Sequence, residues 1–257
     1  MNRIFRLIWS KRLNGWVVAS ELSKSNGKQS SQVVGCLLMA ATVLYPSFAQ
    51  SSTGLLIDNG ATRPTNPQTT YSNITVEPEA DGNMNGVVVN SRSLLNLSDS
   101  VINVHLPANT TWQNRAVGLN IADSGVTSSN NVNLDNVRIN VTSDSTAGSP
   151  NTYGISDGGS NNIRLKDTTF NIDGKFNVTG FNQYTYCTGD ACEDRKTVAS
   201  GKTVMNVQNS NPDNDNTVTG WRSGAFLGGH ATTEITGESI TNLKSANSDA
   251  ALYSYRA

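Results

Sequence analysis

The feature that most constrains the fold is a segment that recurs three times with its internal spacing intact. The copies begin at Leu95, Val132 and Ile163, so they follow one another at similar intervals. Each copy has an apolar residue, then Leu two positions later, Asp or Asn at the fifth position, Ile or Phe at the eighth, Asn at the ninth and an apolar residue at the tenth. A weaker fourth copy occupies residues 233–240. Self-similarity at such intervals predicts a repeat architecture.

The pattern inside each copy predicts two strands and a corner. Alternating apolar and polar residues are typical of half-buried strands, and short polar side chains between them favour a tight corner because they hydrogen-bond nearby backbone. One unit cannot bury its apolar face alone, whereas stacked units bury a continuous column. We therefore predict an all-β fold, a right-handed parallel β-helix following a cleaved helical signal peptide. An antiparallel β-sandwich is the alternative.

Positions shared by the copies predict the interior. A Gly precedes each copy, and an Asn recurs at one position; stacked Asn side chains inside the coil would explain the recurrence, as would chance in an Asn-rich chain. The Gly residues are Gly86, Gly118, Gly154 and Gly224, and the Asn residues are Asn103, Asn140 and Asn171. The first predicted core column is Leu97, Leu134, Leu165 and Ile235, and the second is Ile102, Ile139, Phe170 and Ile240.

Charge is distributed unevenly along the chain. The segment 1–49 holds six basic side chains and one acidic one, whereas the segment 50–257 holds 13 basic and 19 acidic ones, so the net charges are +5 and -6. A basic head before an apolar run is typical of a targeting segment. The mildly acidic remainder lacks the basic stripe of a nucleic-acid-binding protein, so we expect no nucleic-acid partner.

The apolar run at residues 33–44 has the length of the hydrophobic part of a signal peptide and is shorter than the about 20 residues that cross a bilayer. Small residues at Ser47 and Ala49 predict cleavage between Ala49 and Gln50. The expected domains are a signal peptide at 1–49 and a mature domain at 50–257 that carries no membrane span.

The segment from Met1 to Lys28 is unusually long for one that precedes the apolar run of a signal peptide. Met1 to Ser10, Gly15 to Lys24, and Gly27 with Lys28 resemble the extended signal peptide region of Gram-negative type V secretion proteins, a class that includes the autotransporters. The resemblance implies that the inner-membrane secretion machinery is a partner, and that the protein passes through the periplasm to the cell surface or outer membrane, or is secreted. It also implies that residues 50–257 begin a β-helical passenger domain. We expect the chain to stop before a translocator barrel, as a truncated product or fragment.

The mature domain contains two cysteines, Cys187 and Cys192. In an exported chain such a close pair most simply forms a disulfide, and half of a metal site is the alternative. We expect no bound metal and no cofactor, because only two His residues, His105 and His230, are present besides this pair.

Catalytic motifs are weak. A secreted serine protease would need a His and an Asp positioned around the Ser of Asp123-Ser124-Gly125, and glycoside hydrolysis would need two placed carboxylates near Gly228-Gly229-His230. Trp112 and Trp221 are either surface anchors for a ligand or residues that fold back on the coil. We therefore expect an adhesin-like surface passenger without catalysis, with an unidentified cell-surface receptor as its candidate partner. A polysaccharide-degrading enzyme on a β-helix is the alternative.

Overall fold

The computed structural model describes residues 5–10, 15–20, 51–58, 68–78, 83–90, 92–108, 115–122, 130–146, 150–158, 161–185, 195–211, 213, 217–225, 231–245 and 249–256. The chain contains two compact units, Met1–Pro46 and Ser47–Ala257.

The larger unit is a β-solenoid in which strands from successive turns stack into three sheets. Every strand pairing that the structure describes in this unit is parallel, which confirms the predicted β-helical solenoid and makes the antiparallel sandwich wrong. Sheet 1 contains β4 (Gln68–Ser72), β7 (Leu94–Ser98), β10 (Asn131–Asp135), β13 (Asn162–Lys166), β16 (Arg195–Ser200) and β19 (Ala231–Ile235). Sheet 2 contains β5 (Thr75–Val76), β8 (Val101–Leu106), β11 (Arg138–Ser143), β14 (Thr169–Gly174), β17 (Lys202–Asn209) and β20 (Glu238–Lys244). Sheet 3 contains β3 (Ser51–Asp58), β6 (Asn83–Asn90), β9 (Ala116–Ile121), β12 (Thr152–Asp157), β15 (Val178–Thr185), β18 (Val218–Ala225) and β21 (Asp249–Arg256).

The core is a set of axial columns of apolar side chains, which arise because alternate residues of each strand point inward. In sheet 1, Leu134 pairs with Leu97 on one side and with Leu165 on the other, and all three side chains are buried. In sheet 2, Ile139 pairs in the same way with Ile102 and Phe170, which are also buried.

The corner between sheets 1 and 2 has a left-handed backbone at the same position in successive turns. Its φ angle is 47° at Asp99, 54° at Asn136 and 49° at Asp167, and Gly201 has φ 62° at the same corner of the next turn. Asn and Asp tolerate this conformation better than other residues with a side chain, and Gly adopts it without strain. The Asp or Asn of the repeated segment therefore forms the corner, as its sequence predicts.

Sheet 3 packs closely against sheet 2 along a column of glycines. A Cβ atom added to Gly118 would lie 2.3 Å from Cγ2 of Ile139 and 2.6 Å from the carbonyl oxygen of Gly154. The absence of a side chain at this position therefore lets the two sheets approach each other. The column comprises Gly54, Gly86, Gly118, Gly154, Gly180 and Gly220.

The structure corrects the last part of the predicted repeat. A turn built from β16, β17 and β18 separates the third copy from the segment that we aligned as the fourth, so Leu165 pairs with Ala199 and not with Ile235. This turn escaped the alignment because Ala and Gly replace the Leu and the Asp or Asn of the other copies.

Three predicted positions differ from the structure. Ile235 lies in the Leu column, but its side chain is 44% exposed and so is not buried as predicted. Ile240 pairs with Val204, one position outside the second column, and Thr241 pairs with the buried Met205 in its place. Gly224 pairs with Tyr184, whereas Gly220 occupies the glycine column.

The smaller unit contains an antiparallel hairpin of β1 (Phe5–Ser10) and β2 (Gly15–Ser20). Trp9 pairs with Trp16, and Ile8 pairs with Val17. We expected a helical signal peptide, and for these residues that prediction is wrong, because their aromatic and β-branched side chains favour strands. The apolar run at 33–44 lies outside the described residues. In the ranges that the structure describes, we find no helix with the length and apolarity needed to cross a membrane.

Candidate functional site

The outward faces of sheets 1 and 2 are the surfaces on which the solenoid arranges polar side chains in rows. Residues that alternate with the buried core positions point away from the core, and because the strands are in register these residues also stack along the axis. We call the outer surfaces of sheet 1 and sheet 2 the first face and the second face.

The second face carries a continuous ladder of asparagine side chains. The Nδ2 of each Asn donates to the Oδ1 of the Asn in the preceding turn, with donor–acceptor distances of 2.8 Å at each step. The first Asn donates to Oε1 of Glu77 at 2.9 Å. The ladder consists of Asn103, Asn140, Asn171, Asn206 and Asn242.

The ladder lies outside the coil, whereas we had considered an Asn ladder inside it. Asn103 lies between the inward-pointing Ile102 and Val104, and strand alternation therefore directs its side chain outward. Its Nδ2 donates to the carboxylate of Glu77 and its Oδ1 accepts from Nδ2 of Asn140, so both atoms have partners outside the coil.

A second polar row borders the ladder. Nε2 of Gln208 donates to Oδ2 of Asp173 at 2.7 Å, and Nδ1 of His105 lies 2.9 Å from Oγ1 of Thr142. Nε2 of His105 lies 3.7 Å from Oδ2 of the exposed Asp144. A depression of about 460 Å³ lies over the part of the two rows that begins at Asn140 and Thr142. Most of its polar groups are therefore bonded to one another.

The first face carries a shorter row of amide side chains, which does not continue through all the turns as the ladder does. Nδ2 of Asn133 donates to Oδ1 of Asn96 at 2.7 Å, and Nδ2 of Asn96 donates to Oγ1 of Thr70 at 3.3 Å. The next residues in this row are Arg164 and then Val198, so no further amide continues it.

A groove of about 740 Å³ opens on the first face where this row stops. Nζ of Lys196 lies 2.9 Å from Oε1 of Glu234, which forms an ion pair within the groove. The apolar lining consists of Leu94 and Val198. The polar lining consists of Asn131, Asn133, Asn162, Arg164, Lys196 and Glu234.

An ion pair lies at the edge of the first face that borders the corner. Nζ of Lys166 donates to Oδ2 of Asp135 at 2.9 Å, and both side chains are exposed. The hydrogen bond to the Asp135 carboxylate raises the pKa of Lys166. The ammonium group of Lys166 is therefore directed at Asp135, and Lys166 does not line the groove.

In the strand pairs that the structure describes, no acidic residue lies directly opposite another. Among the strand pairs that the structure describes, Asp135 pairs with Ser98 and Lys166, and Asp173 pairs with Thr142 and Gln208. In the same ranges, we find no group of His, Cys, Asp and Glu side chains that could hold a metal ion.

Several predicted sites lie outside the described residues. These are the cleavage site at Ala49 and Gln50, the cysteines Cys187 and Cys192, the segments 123–125 and 228–230, and Trp112. Trp221 is described, and its side chain is 4% exposed, with its ring centroid 5.4 Å from that of Phe181. It is therefore a core residue and not a surface anchor.

Sequence reasoning missed Arg164 and Lys196 as functional candidates. Both appear in the sequence as ordinary exposed charges on strands. The alignment of the copies places Arg164 at the position of Asn133, but only the register of β13 and β16 shows that Lys196 lines the same groove.

Comparisons with known proteins identify the N-terminal segment. Residues 1–50 match the family described as the Extended Signal Peptide of Type V secretion system. The N-terminal part is also similar to the autotransporter adhesin NhhA of Neisseria meningitidis serogroup B, with 40% identity over 52 residues. That alignment covers 20% of this chain and only 9% of the relative. No solved structure matches the chain.

These matches confirm the resemblance that we described from the segment between Met1 and Lys28. The chain carries an extended signal peptide of type V secretion, and it is exported to the cell surface or outer membrane. The export signal implies engagement of the export machinery.

Proposed function

We propose that the solenoid is the passenger part of a type V secretion protein and acts at the cell surface as an adhesin-like binding module without catalysis. The observation that carries the proposal is the joining of this export signal to a solenoid whose outer faces hold polar side chains in axial rows.

The geometry of the solenoid supports a role in binding. Each turn contacts only its neighbours, so added turns lengthen a stiff surface without changing its character. The Asn140 and Asn171 side chains are already held by hydrogen bonds along the ladder. Side chains that are ordered before a ligand arrives lose less conformational entropy when it binds.

The name of the Neisseria protein supports the same role, because it describes an autotransporter adhesin. The similarity lies in the N-terminal part, so the partners of that protein are not transferred to this chain. Glycoside hydrolysis, the enzymatic alternative, needs two carboxyl groups roughly 5–9.5 Å apart around the substrate. The register of the described strands offers no acidic residue opposite another one.

The proposal is tested with the full chain exported to the periplasm, purified and coupled to beads. We expect the beads to adhere to epithelial cell monolayers, and the soluble protein to compete with them. Beads that carry the Leu134→Asp variant, whose solenoid we expect to be disrupted, are the matched control.

Catalysis is tested on the same preparation. We expect no release of reducing ends from a panel of plant, bacterial and host polysaccharides. If the beads do not adhere and one polysaccharide is hydrolysed, the proposal of a binding module is wrong and the enzymatic alternative is supported.

A further inference from the structure

The two polar faces differ in how their amides are used. On the second face, each Asn from Asn140 to Asn206 donates to the preceding turn and accepts from the following one. A ligand at that face would have to replace hydrogen bonds that already exist, which reduces the net gain from binding.

On the first face the row of amides stops at Asn133, and its end is open. The Nδ2 of Asn133 donates to Oδ1 of Asn96, and in the next turn Arg164 occupies the paired position in place of an amide. In the part of the chain that the structure describes, no side chain donates to Oδ1 of Asn133, and the Arg164 guanidinium has neither an ion pair nor a hydrogen bond. An acceptor and a cationic donor are thus adjacent and both available to a ligand.

The charged residues that line the groove leave an excess of one positive charge. Lys196 is paired with Glu234 at 2.9 Å, so Arg164 is the lining charge that this ion pair leaves over. The groove in which it lies measures about 740 Å³, within the range of roughly 300–1,000 Å³ that is common for ligand-binding clefts. The electrostatics of the groove therefore favour an anionic ligand.

We propose that this groove binds an acidic oligosaccharide, a chain of sugars that carry carboxylate groups. The planar guanidinium of Arg164 matches a carboxylate with two parallel hydrogen bonds. Sugar hydroxyls both donate and accept, and the side-chain amides of Asn131 and Asn133 offer both functions beside it. Protein-binding surfaces rely on buried aromatic anchors, and none lines this groove in the described ranges.

The assignment rests on the proposed function, because it names the ligand class of the binding module. It places the ligand on the first face and not on the longer Asn ladder. Arg138, which is exposed on the second face and outside the groove, provides a cation of the same type for comparison.

The test measures the affinity of the full exported chain for fluorescent tri-galacturonate by polarisation. We expect saturable binding that weakens with added salt, and no binding of the methyl-esterified trimer, which keeps the hydroxyls but lacks the charges. Arg164→Ala should raise the Kd about tenfold or more. Arg164→Lys should have a smaller effect, since it keeps the charge and loses the two-pronged geometry. Arg138→Ala should leave the Kd unchanged.

Four results would overturn the assignment: no saturable binding of the trimer, equal binding of the ester, equal losses in Arg138→Ala and Arg164→Ala, or equal competition by a polyglutamate peptide, which would point to an acidic protein. The melting temperature of each variant separates loss of the site from loss of the fold. If coated beads adhere to cells while the trimer does not bind, only the ligand assignment fails and the proposed function stands.

Discussion

At the scale of single residues, the glycine column is the part of the solenoid with the least space for an added side chain. Gly118→Ala would place a Cβ 2.3 Å from Ile139 Cγ2 and 2.6 Å from the Gly154 carbonyl oxygen, and backbone on one side leaves little room for relaxation. We expect a loss of about 1–3 kcal/mol of stability, measured as a lower midpoint of urea unfolding. Gly158→Ala is the control, because its new Cβ would lie 3.8 Å from the nearest atom, and this variant should unfold at the wild-type urea concentration.

The corner residue Asn136 gives a second prediction at this scale. Its Nδ2 donates to Oδ1 of Asp99 at 2.8 Å, and Asp167 occupies the same corner on the other side. From the sequence, a carboxylate at this exposed corner would cost little. The structure changes that expectation, because Asn136→Asp removes the donor and places a third carboxylate between two others.

We expect Asn136→Asp to destabilise the protein by about 0.5–1.5 kcal/mol through the lost hydrogen bond, with like-charge repulsion added to it. Asn136→Gly loses the same bond without adding a charge, and Gly tolerates the φ of 54°. The difference between the two melting temperatures should therefore shrink as salt is added. A difference that does not respond to salt would show that repulsion is not its cause.

At the scale of the strand, β10 separates core from surface by alternation alone. Leu134 is buried between Leu97 and Leu165, and Asn131 on the same strand points outward. Leu134→Asp would bury a carboxylate without a partner, which costs several kcal/mol and should open the adjoining turns. Asn131→Asp should change stability by less than about 1 kcal/mol. Hydrogen exchange should show lost protection in β7, β10 and β13 for the first variant only; retained protection there would exclude Leu134 from the core.

At the scale of the whole molecule, export is expected to separate the signal peptide from the mature domain by cleavage. We predict that signal peptidase cleaves between Ala49 and Gln50, because small residues stand at the positions that it reads. N-terminal sequencing of protein taken from the periplasm should begin at Gln50. Ala49→Tyr should slow processing, whereas Phe48→Tyr should not, and a mature chain that begins elsewhere would refute the site.

The redox state of the periplasm also affects the two cysteines of the mature domain. We predict that Cys187 and Cys192 form a disulfide there, since the compartment is oxidising. The bond closes a very short loop, so it should stabilise the fold by less than the roughly 3 kcal/mol expected for a loop of 15 residues. Mass spectrometry after alkylation should show no labelled thiol at either position before reduction. Labelling of both cysteines without reduction would contradict the bond.

The sequence by itself determined the features that depend on near neighbours along the chain. The alternation around Leu134 predicts a strand, and Asn136 predicts the corner, because the strand period and the tolerance of a left-handed φ are local properties. Three segments aligned without gaps, and their register in the structure is the register of that alignment. The parallel solenoid follows from these local features together.

Only the tertiary structure decided which turns are neighbours. The turn that contains Ala199 and Met205 was missed, since a column accepts any side chain of suitable volume and does not require the residue types of the other copies. The same turn places Lys196 opposite Asn162 and so in the groove with Arg164, whereas the alignment of the copies already paired Arg164 with Asn133. The groove depends on that proximity, and a contact across turns exists only after the strands have stacked.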